Sequence, residues 1–190
     1  TALVTGSEGE EIDPDKTLEV KVTFHWLLGT PSCWVRVAQP WAGAGYGAMF
    51  VPRIGDEVVV AFEDGDPDRP LIIGSVYNGA NKPPHDPPAR RTVTSIKSNT
   101  SKGGGKANEL TFEDAEGEEN IFLHASMNHD RRVANDMIDF IGNELHQTVG
   151  KSVFREIGEI LHETIAEDHN VEIAGNRNVT IAGDSLDAIG

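Results

Sequence analysis

The sequence predicts an all-β protein in which a small five-stranded barrel is followed by a repetitive β-structure. Three observations lead to this fold class. Short runs between residues 19 and 79 alternate apolar and polar side chains, which is typical of half-buried strands. The chain contains 20 glycines and 10 prolines, which favour short elements joined by turns. Residues 133–190 repeat every eight positions, which indicates a repeat architecture.

Composition and charge exclude several classes of function. The net charge is −15, with 16 basic against 31 acidic residues in 190, whereas binding to nucleic acid requires clustered lysine and arginine. The single cysteine, Cys33, excludes an intrachain disulfide and a multi-cysteine zinc site, and its strand-like flanks predict a buried thiol. Because the first residue is Thr1, we expect a fragment or a processed chain.

Residues 19–79 form the predicted barrel. Strands are expected in Glu19–Trp26 and Trp34–Ala38, where the alternation is clear, and in Val58–Phe62 and Leu71–Ile73, which are short β-rich runs. The glycine-rich stretch Ala42–Ala48 predicts a loop. About sixty residues is a suitable length for a five-stranded barrel.

Residues 80–108 are predicted to be a connector, because Lys82–Pro88 is rich in proline and Ser101–Lys106 is rich in glycine. After the connector, Glu109–Glu113 and Asn120–His124 flank a glycine-containing turn and predict a β-hairpin. This hairpin and the repeat together make up the predicted shaft, residues 109–190.

In the repeat, a β-branched aliphatic residue is followed each time by alanine or glycine. The β-branched residues are Val133, Ile141, Val149, Ile157, Ile165, Ile173, Ile181 and Ile189. A helix is the competing interpretation, since Met137–Ile165 also has an apolar residue at every fourth position. On a helix that stripe would drift by about 40° per step, whereas on a strand an even spacing keeps it on one face. We therefore predict strands.

Eight residues are too few to complete a coil around a core, so each octad must bury its apolar side against other chains. Three chains winding together satisfy this requirement, with the β-branched residues near the axis and the small residues at the corners. The repeat therefore predicts an intertwined homotrimeric β-helix. Its exterior would be acidic, because residues 133–190 carry eleven Asp and Glu against three Lys and Arg.

The early octads carry extra bulky side chains, at Ile138, Phe140, Phe154 and Ile160. A local bulge, a helical insertion and a contact for a partner remain alternative explanations. His146 and His162 are sixteen residues apart and share one register position. Inward-facing imidazoles could form metal-binding rings in a trimer, but a solvent-facing stripe is the favoured interpretation and we predict no bound metal.

The segment Glu63–Pro70, EDGDPDRP, has the carboxylate density of a metal site or an acid–base pair. Its prolines and the Ser at position 75 do not fit an EF-hand loop. Because the segment lies between two predicted strands, we interpret it as a connecting turn. Asp66 and Asp68 are expected to hold the turn through side-chain to backbone hydrogen bonds, and Arg69 to pair with a carboxylate.

Several segments together resemble a known family. They are the runs from Ser32 to Gly43, from Gly47 to Val58, from Gly65 to Pro70 and from Gly74 to Gly79, and the Val/Ile–Gly/Ala octads. In these stretches the chain resembles the valine–glycine repeat (VgrG) spike proteins of type VI secretion systems, which are related to contractile phage tail spikes. The positions that carry the barrel resemblance are Trp34, Arg36, Gln39, Pro40, Trp41, Arg53, Gly55, Asp66, Asp68, Arg69 and Tyr77.

The resemblance implies a homotrimeric, secreted spike with an OB-fold barrel and a triple-stranded β-helix. It implies an N-terminal base that docks on the tail tube, with residues 1–18 as a segment left from that base. It also implies a PAAR-repeat tip protein or an effector at the far end. Assembly in the bacterial cytoplasm, followed by injection into target cells, is the expected route.

The preferred hypothesis is a structural spike that punctures cell envelopes mechanically. The alternative is a phage-tail spike with peptidoglycan-degrading activity, which would need a carboxylate catalytic domain between barrel and shaft. The sequence contains no catalytic motif and no cofactor motif. Trp34, Trp41 and Tyr46 are expected to pack in the core and between subunits rather than to stack on bases or sugars.

Overall fold

A computed structural model describes residues 1–27 and 29–186. The chain divides into two compact units, Thr1–Arg132 and Val133–Gly190. Within the described ranges there is no helix with the length and apolar character needed to cross a membrane. The regular elements in these described residues are eight strands and one short 3-10 turn, so the all-β class is confirmed.

Five strands form the first sheet: β1 (Ala2–Thr5), β2 (Lys21–Phe24), β3 (Arg36–Val37), β4 (Glu57–Phe62) and β5 (Pro70–Val76). Their order in the sheet is β2-β1-β4-β5-β3, and all pairs are antiparallel except β3 with β5. The two edges meet at Val20 and Val35, whose N–H groups each donate to the other residue's carbonyl, at 3.0 and 2.9 Å. The sheet therefore closes into a five-stranded barrel, which removes its free edges.

The barrel interior is filled by small and β-branched side chains, as the alternating pattern predicts. Its buried core consists of Ala2, Val4, Val20, Val22, Phe24, Val35, Val58 and Ile72. Five of these are valines, which pack well on a pleated surface.

The N-terminal boundary differs from the prediction. Residues 1–18 were expected to lie outside the barrel, but β1 is hydrogen-bonded between β2 and β4. Ala2 is 0% exposed and Val4 is 3% exposed. The barrel therefore uses residues from both sides of position 19. The sequence did not predict β1, because the position of a four-residue strand depends on pairing with strands that are distant in sequence.

Three further strands form a second antiparallel sheet in the order β6-β7-β8: β6 (Val93–Lys97), β7 (Glu109–Glu113) and β8 (Asn120–His124). The predicted hairpin is β7–β8, and its turn contains Gly117 at φ +80°. The connector 80–108 is not entirely irregular, since β6 lies within it and pairs with β7.

Within residues 133–186 the chain has no helix and no hydrogen-bonded strand. It bends once per octad, at residues 134–135, 142–143, 150–151, 158–159, 166–167, 174–175 and 182–183. Each bend begins at the alanine or glycine that follows the β-branched residue. The predicted corners are therefore found in this range, and a helical insertion at the bulky early octads is excluded. Ile189 and Gly190 lie outside the described residues.

Candidate functional site

The second sheet has an apolar face that nothing in the described chain covers. Its cross-strand neighbours are Ile96, Leu110 and Leu123 in one row and Phe112 beside Ile121 in the next. Ile96, Ile121 and Leu123 are 59%, 69% and 60% exposed. Contiguous exposed apolar surface on a sheet marks an interaction site. Sequence reasoning missed this face because it did not identify β6.

The opposite face of this sheet is polar and is covered by the connector. The Glu109 carboxylate accepts from Thr111 Oγ1 at 2.9 Å and pairs with Lys97 at 3.1 Å, and His85 Nε2 lies 3.2 Å from it. The Thr111 hydroxyl and the Lys97 ammonium hold the pKa of Glu109 below its usual range, because both favour the ionised form. The position of His85 places the proline-rich segment against the sheet.

Glu113 anchors the other end of the same face. Its carboxylate accepts a hydrogen bond from Thr92 and one from the Ala115 N–H at 3.1 Å, and it pairs with Arg90 at 3.4 Å. These contacts, the Thr92 hydroxyl first, lower the pKa of Glu113. With one face satisfied in this way, the apolar face is the side left for another chain.

The octad segment, residues 133–190, exposes its β-branched stripe. In the described part these side chains are 41–54% exposed: Val133, Ile141, Val149, Ile157, Ile165, Ile173 and Ile181. A row of half-exposed valine and isoleucine side chains at a fixed spacing is unfavourable in water, since burying one fully contributes about 1.5–3 kcal/mol. The stripe therefore requires a partner surface with the same spacing.

The backbone of this segment forms no regular element within its own chain. Residues 133–186 have no helix and no strand ladder. Extended backbone that is brought next to buried apolar side chains must be hydrogen-bonded. Both requirements are met by a partner that offers strand backbone and apolar side chains at the same spacing.

The side chains of EDGDPDRP form a hairpin corner between β4 and β5. Asp66 Oδ1 accepts the Asp68 N–H at 3.0 Å, so the predicted role of Asp66 in holding the turn is observed. Arg69 pairs with Glu63 at 2.5 Å and with Asp64 at 3.0 Å. Arg36 on β3 also pairs with Glu63. These ion pairs join two strands at the barrel surface.

Three other barrel positions fix loops. The Gln39 amide bonds both backbone groups of Phe50, donating at 3.0 Å and accepting at 2.8 Å, and Pro40 lines the adjacent cleft. The Arg53 guanidinium donates to the Asn99 carbonyl at 2.7 Å, which links the barrel to the connector. Gly55, at φ +91°, donates to the Val4 carbonyl at 2.9 Å.

The aromatic and thiol predictions need correction. Trp34, Trp41 and Tyr46 are 40%, 63% and 62% exposed, so they do not pack in the barrel core, and their packing between subunits stays a prediction. Tyr77 is likewise 65% exposed. Trp34 faces outward because its neighbour Val35 fills the core and adjacent strand residues point to opposite sides. Lys21 Nζ lies 4.7 Å from the centroid of the Trp34 ring. Cys33 is exposed rather than buried.

The histidine positions are solvent-facing in the chain. His146 is 85% exposed and its Nε2 lies 2.7 Å from Glu144 Oε2. His162 Nε2 lies 3.2 Å from the Thr164 hydroxyl. Among residues 1–27 and 29–186, no three His, Cys, Asp or Glu side chains are grouped in a way that could hold a metal ion.

Comparison with known proteins matches two separate parts of the chain. Residues 2–77 match the type VI secretion system/phage-baseplate injector OB domain. Residues 94–190 match the bacteriophage T4 gp5 C-terminal trimerisation domain. The first match covers the closed barrel, and the second covers the three-stranded sheet together with the octads.

Curated relatives carry matching names. The type VI secretion system spike protein VgrG1b of Pseudomonas aeruginosa is 47% identical over 151 residues, which are 76% of this chain and 20% of the relative. VgrG1c of the same organism is 46% identical over 76% of this chain and 21% of its own length. The actin cross-linking toxin VgrG1 of Vibrio cholerae is 45% identical over 76% of this chain and 14% of its own length. The chain thus spans about a fifth or less of these relatives.

Proposed function

Because the chain belongs to the VgrG family of type VI secretion spike proteins, we propose that it is the neck and shaft of a homotrimeric cell-puncturing spike. The OB barrel and the three-stranded sheet form the neck, and the octad segment forms the shaft. The proposed work is mechanical: contraction elsewhere in the apparatus drives the spike into the target envelope, and the shaft remains rigid.

The observation that carries this proposal is the octad segment. Residues 133–186 form no helix and no strand ladder in their own chain, yet they bend regularly and present a half-exposed β-branched stripe. Three intertwined copies pair these backbone groups with one another and bury the stripe at the axis. A closed three-chain rod also has no long free strand edge.

The proposed partners follow from this arrangement and from the family. The neck end of the spike connects to the tail tube through an N-terminal base, and the shaft end carries a PAAR-repeat tip protein, an effector, or both. We place assembly in the bacterial cytoplasm and action in the target cell. We propose no cofactor, no nucleic-acid partner and no catalytic role for these residues.

Measuring mass and secondary structure together tests the trimer. Light scattering is expected to give three times the 20.6 kDa chain mass, and circular dichroism a β-dominated spectrum. A monomer, or a spectrum dominated by helix, would refute the proposal.

A pair of variants tests the axis directly. Ile173→Asp places three charges at the axis and is expected to abolish the trimer. The matched control, Asn170→Asp in the same octad, is expected to leave the trimer intact.

The peptidoglycan-degrading alternative needs a catalytic domain between barrel and shaft. Strand β5 ends at Val76 and β6 begins at Val93, and the intervening segment is bound to the sheet through His85 and Arg90. We therefore expect the purified trimer to release no fragments from isolated cell walls. Release of soluble muropeptides would favour the alternative.

A further inference from the structure

The two sides of the octad segment differ in exposure. On the even-numbered side, five large apolar side chains are 81–95% exposed: Ile138, Phe140, Phe154, Ile160 and Leu186. The odd-numbered β-branched stripe is only 41–54% exposed in the described octads. Because the repeat length is even, extended octads keep odd and even residues on opposite faces throughout. In the proposed trimer the odd-numbered β-branched residues pack at the axis, so the even-numbered large apolar side chains lie on the outer surface.

The outer side also carries charge of one sign. Even-numbered positions from 134 to 186 contain no lysine or arginine, and all three basic residues of this range, Lys151, Arg155 and Arg177, are odd-numbered. The acidic residues on the even side are Asp136, Glu144, Glu156, Asp168, Glu172 and Asp184. The charged side chains on the same side as the exposed apolar residues are therefore all carboxylates.

Stacking of octads in the trimer brings the exposed apolar side chains of the early octads close together. In a three-chain rod each face stacks octads from all three chains, about 4.8 Å apart. The register position of Ile138 is occupied by His146, Phe154 and His162 in the next three octads, so these four side chains form a ladder on each face. Phe140 and Ile160 lie two positions to either side of this ladder. Threefold symmetry repeats the surface three times.

This surface is local rather than a property of the repeat. The next octads place Asn170 and Asn178 at the ladder position and Thr180 beside them. Four of the five exposed large apolar side chains lie between residues 138 and 160, and this concentration of bulk is not needed to form the rod, since the later octads have the same bends. Soluble proteins rarely expose contiguous apolar surface without a binding role.

We propose that this outer face, residues 136–162, binds a basic amphipathic polypeptide segment, one on each face of the trimer. Apolar side chains of the segment cover Phe140 and Phe154, while its lysines and arginines pair with Glu144 and Glu156. An anionic lipid surface is the less suitable partner, because it would repel a face that has carboxylates and no lysine or arginine. The proposal rests on the proposed trimeric shaft.

The test titrates labelled synthetic peptides with the whole 190-residue chain and follows fluorescence anisotropy at physiological salt. The probes are an amphipathic Lys/Leu helical peptide and a scrambled peptide of the same composition. The variants are Phe140→Ser with Phe154→Ser, and, as the matched control on the same face, Asn170→Ser with Asn178→Ser. Trimer mass and melting temperature are measured for each protein.

We expect up to three amphipathic peptides per trimer, and at least about tenfold weaker binding by the double phenylalanine variant. Its trimer mass and melting temperature should be unchanged, and the asparagine control should bind like the unaltered protein. Equal binding of the scrambled peptide, unchanged affinity of the phenylalanine variant, or an absence of binding by an intact trimer would each overturn the docking proposal alone.

Two further outcomes separate the hypotheses. A monomeric unaltered chain overturns the proposed function itself, whereas loss of the trimer only in the phenylalanine variant shows that these side chains pack inside the rod and overturns the outer-face assignment. Co-sedimentation of the unaltered trimer with phosphatidylcholine/phosphatidylglycerol vesicles, lost in the phenylalanine variant, would assign the face to lipid and overturn the polypeptide proposal.

Discussion

Replacing Ile157 by alanine tests whether the β-branched stripe lies at a trimer axis. Ile157 is 41% exposed in the single chain, and that fraction is available to be buried between chains. Since full burial of an isoleucine contributes about 1.5–3 kcal/mol, the available part amounts to about 1 kcal/mol per chain and about 3 kcal/mol per trimer. We therefore expect Ile157→Ala to raise the trimer dissociation constant about a hundredfold.

Ile160 provides the matched control, because it is the same residue type three positions away and is 81% exposed on the outer side. Both variants are refolded from denaturant over a series of chain concentrations, and the trimer fraction is measured by analytical ultracentrifugation. Ile157→Ala should shift the assembly midpoint to higher concentration, and Ile160→Ala should leave it unchanged. Equal shifts for the two variants would show that the assignment of inner and outer faces is wrong.

Three further predictions concern the N-terminal unit. Ile72→Ala in the barrel core, where Ile72 is 1% exposed, should lower the free energy of unfolding by about 2–5 kcal/mol, measured by denaturant titration, whereas Ile73→Ala at 53% exposure should cost about 0.5 kcal/mol. Gly47→Ala should cost about 1–3 kcal/mol, since Gly47 has φ +138° and an added Cβ would lie 2.4 Å from the Trp41 carbonyl oxygen; an unchanged melting temperature would contradict this. The lowered pKa of Glu113 contributes stability that is complete above its usual value of 4.5 and is lost as pH falls through the lowered value. Glu113→Gln should therefore reduce the melting temperature at neutral pH and flatten its decline as the pH falls below 4.5.

The sequence predicted those elements whose residues show a clear alternation or repeat. Strands β2, β4 and β5 alternate or cluster β-branched residues, and the octad corners follow directly from the small residue after each β-branched one. Strand β1 was missed because Ala2–Thr5 is too short to have a readable period. Its position depends on two partners that are distant in sequence.

The self-association surface was predicted only in part, for a similar reason. The octad stripe can be read from one chain, but the apolar face of the second sheet exists only once β6 aligns with β7. Strand β6, Val93–Lys97, has the weakly patterned sequence VTSIK, so Ile96 could not be assigned to a face in advance. The outward position of Trp34 likewise depends on closure of the barrel at Val35.

Because residues 133–186 form no helix and no strand ladder within their own chain, formation of the proposed shaft is a third-order reaction in the chain. Ordering a single octad segment costs conformational entropy, and contacts within that segment do not compensate for this cost. A folding nucleus therefore forms only when three segments meet. The N-terminal unit has its own closed core and can fold first. Necks that associate through the apolar sheet face would then hold the three segments at an effective concentration in the millimolar range. Pairing of the three segments that proceeds from the neck end makes the rod form quickly. Shaft segments separated from their necks would form the same rod far more slowly.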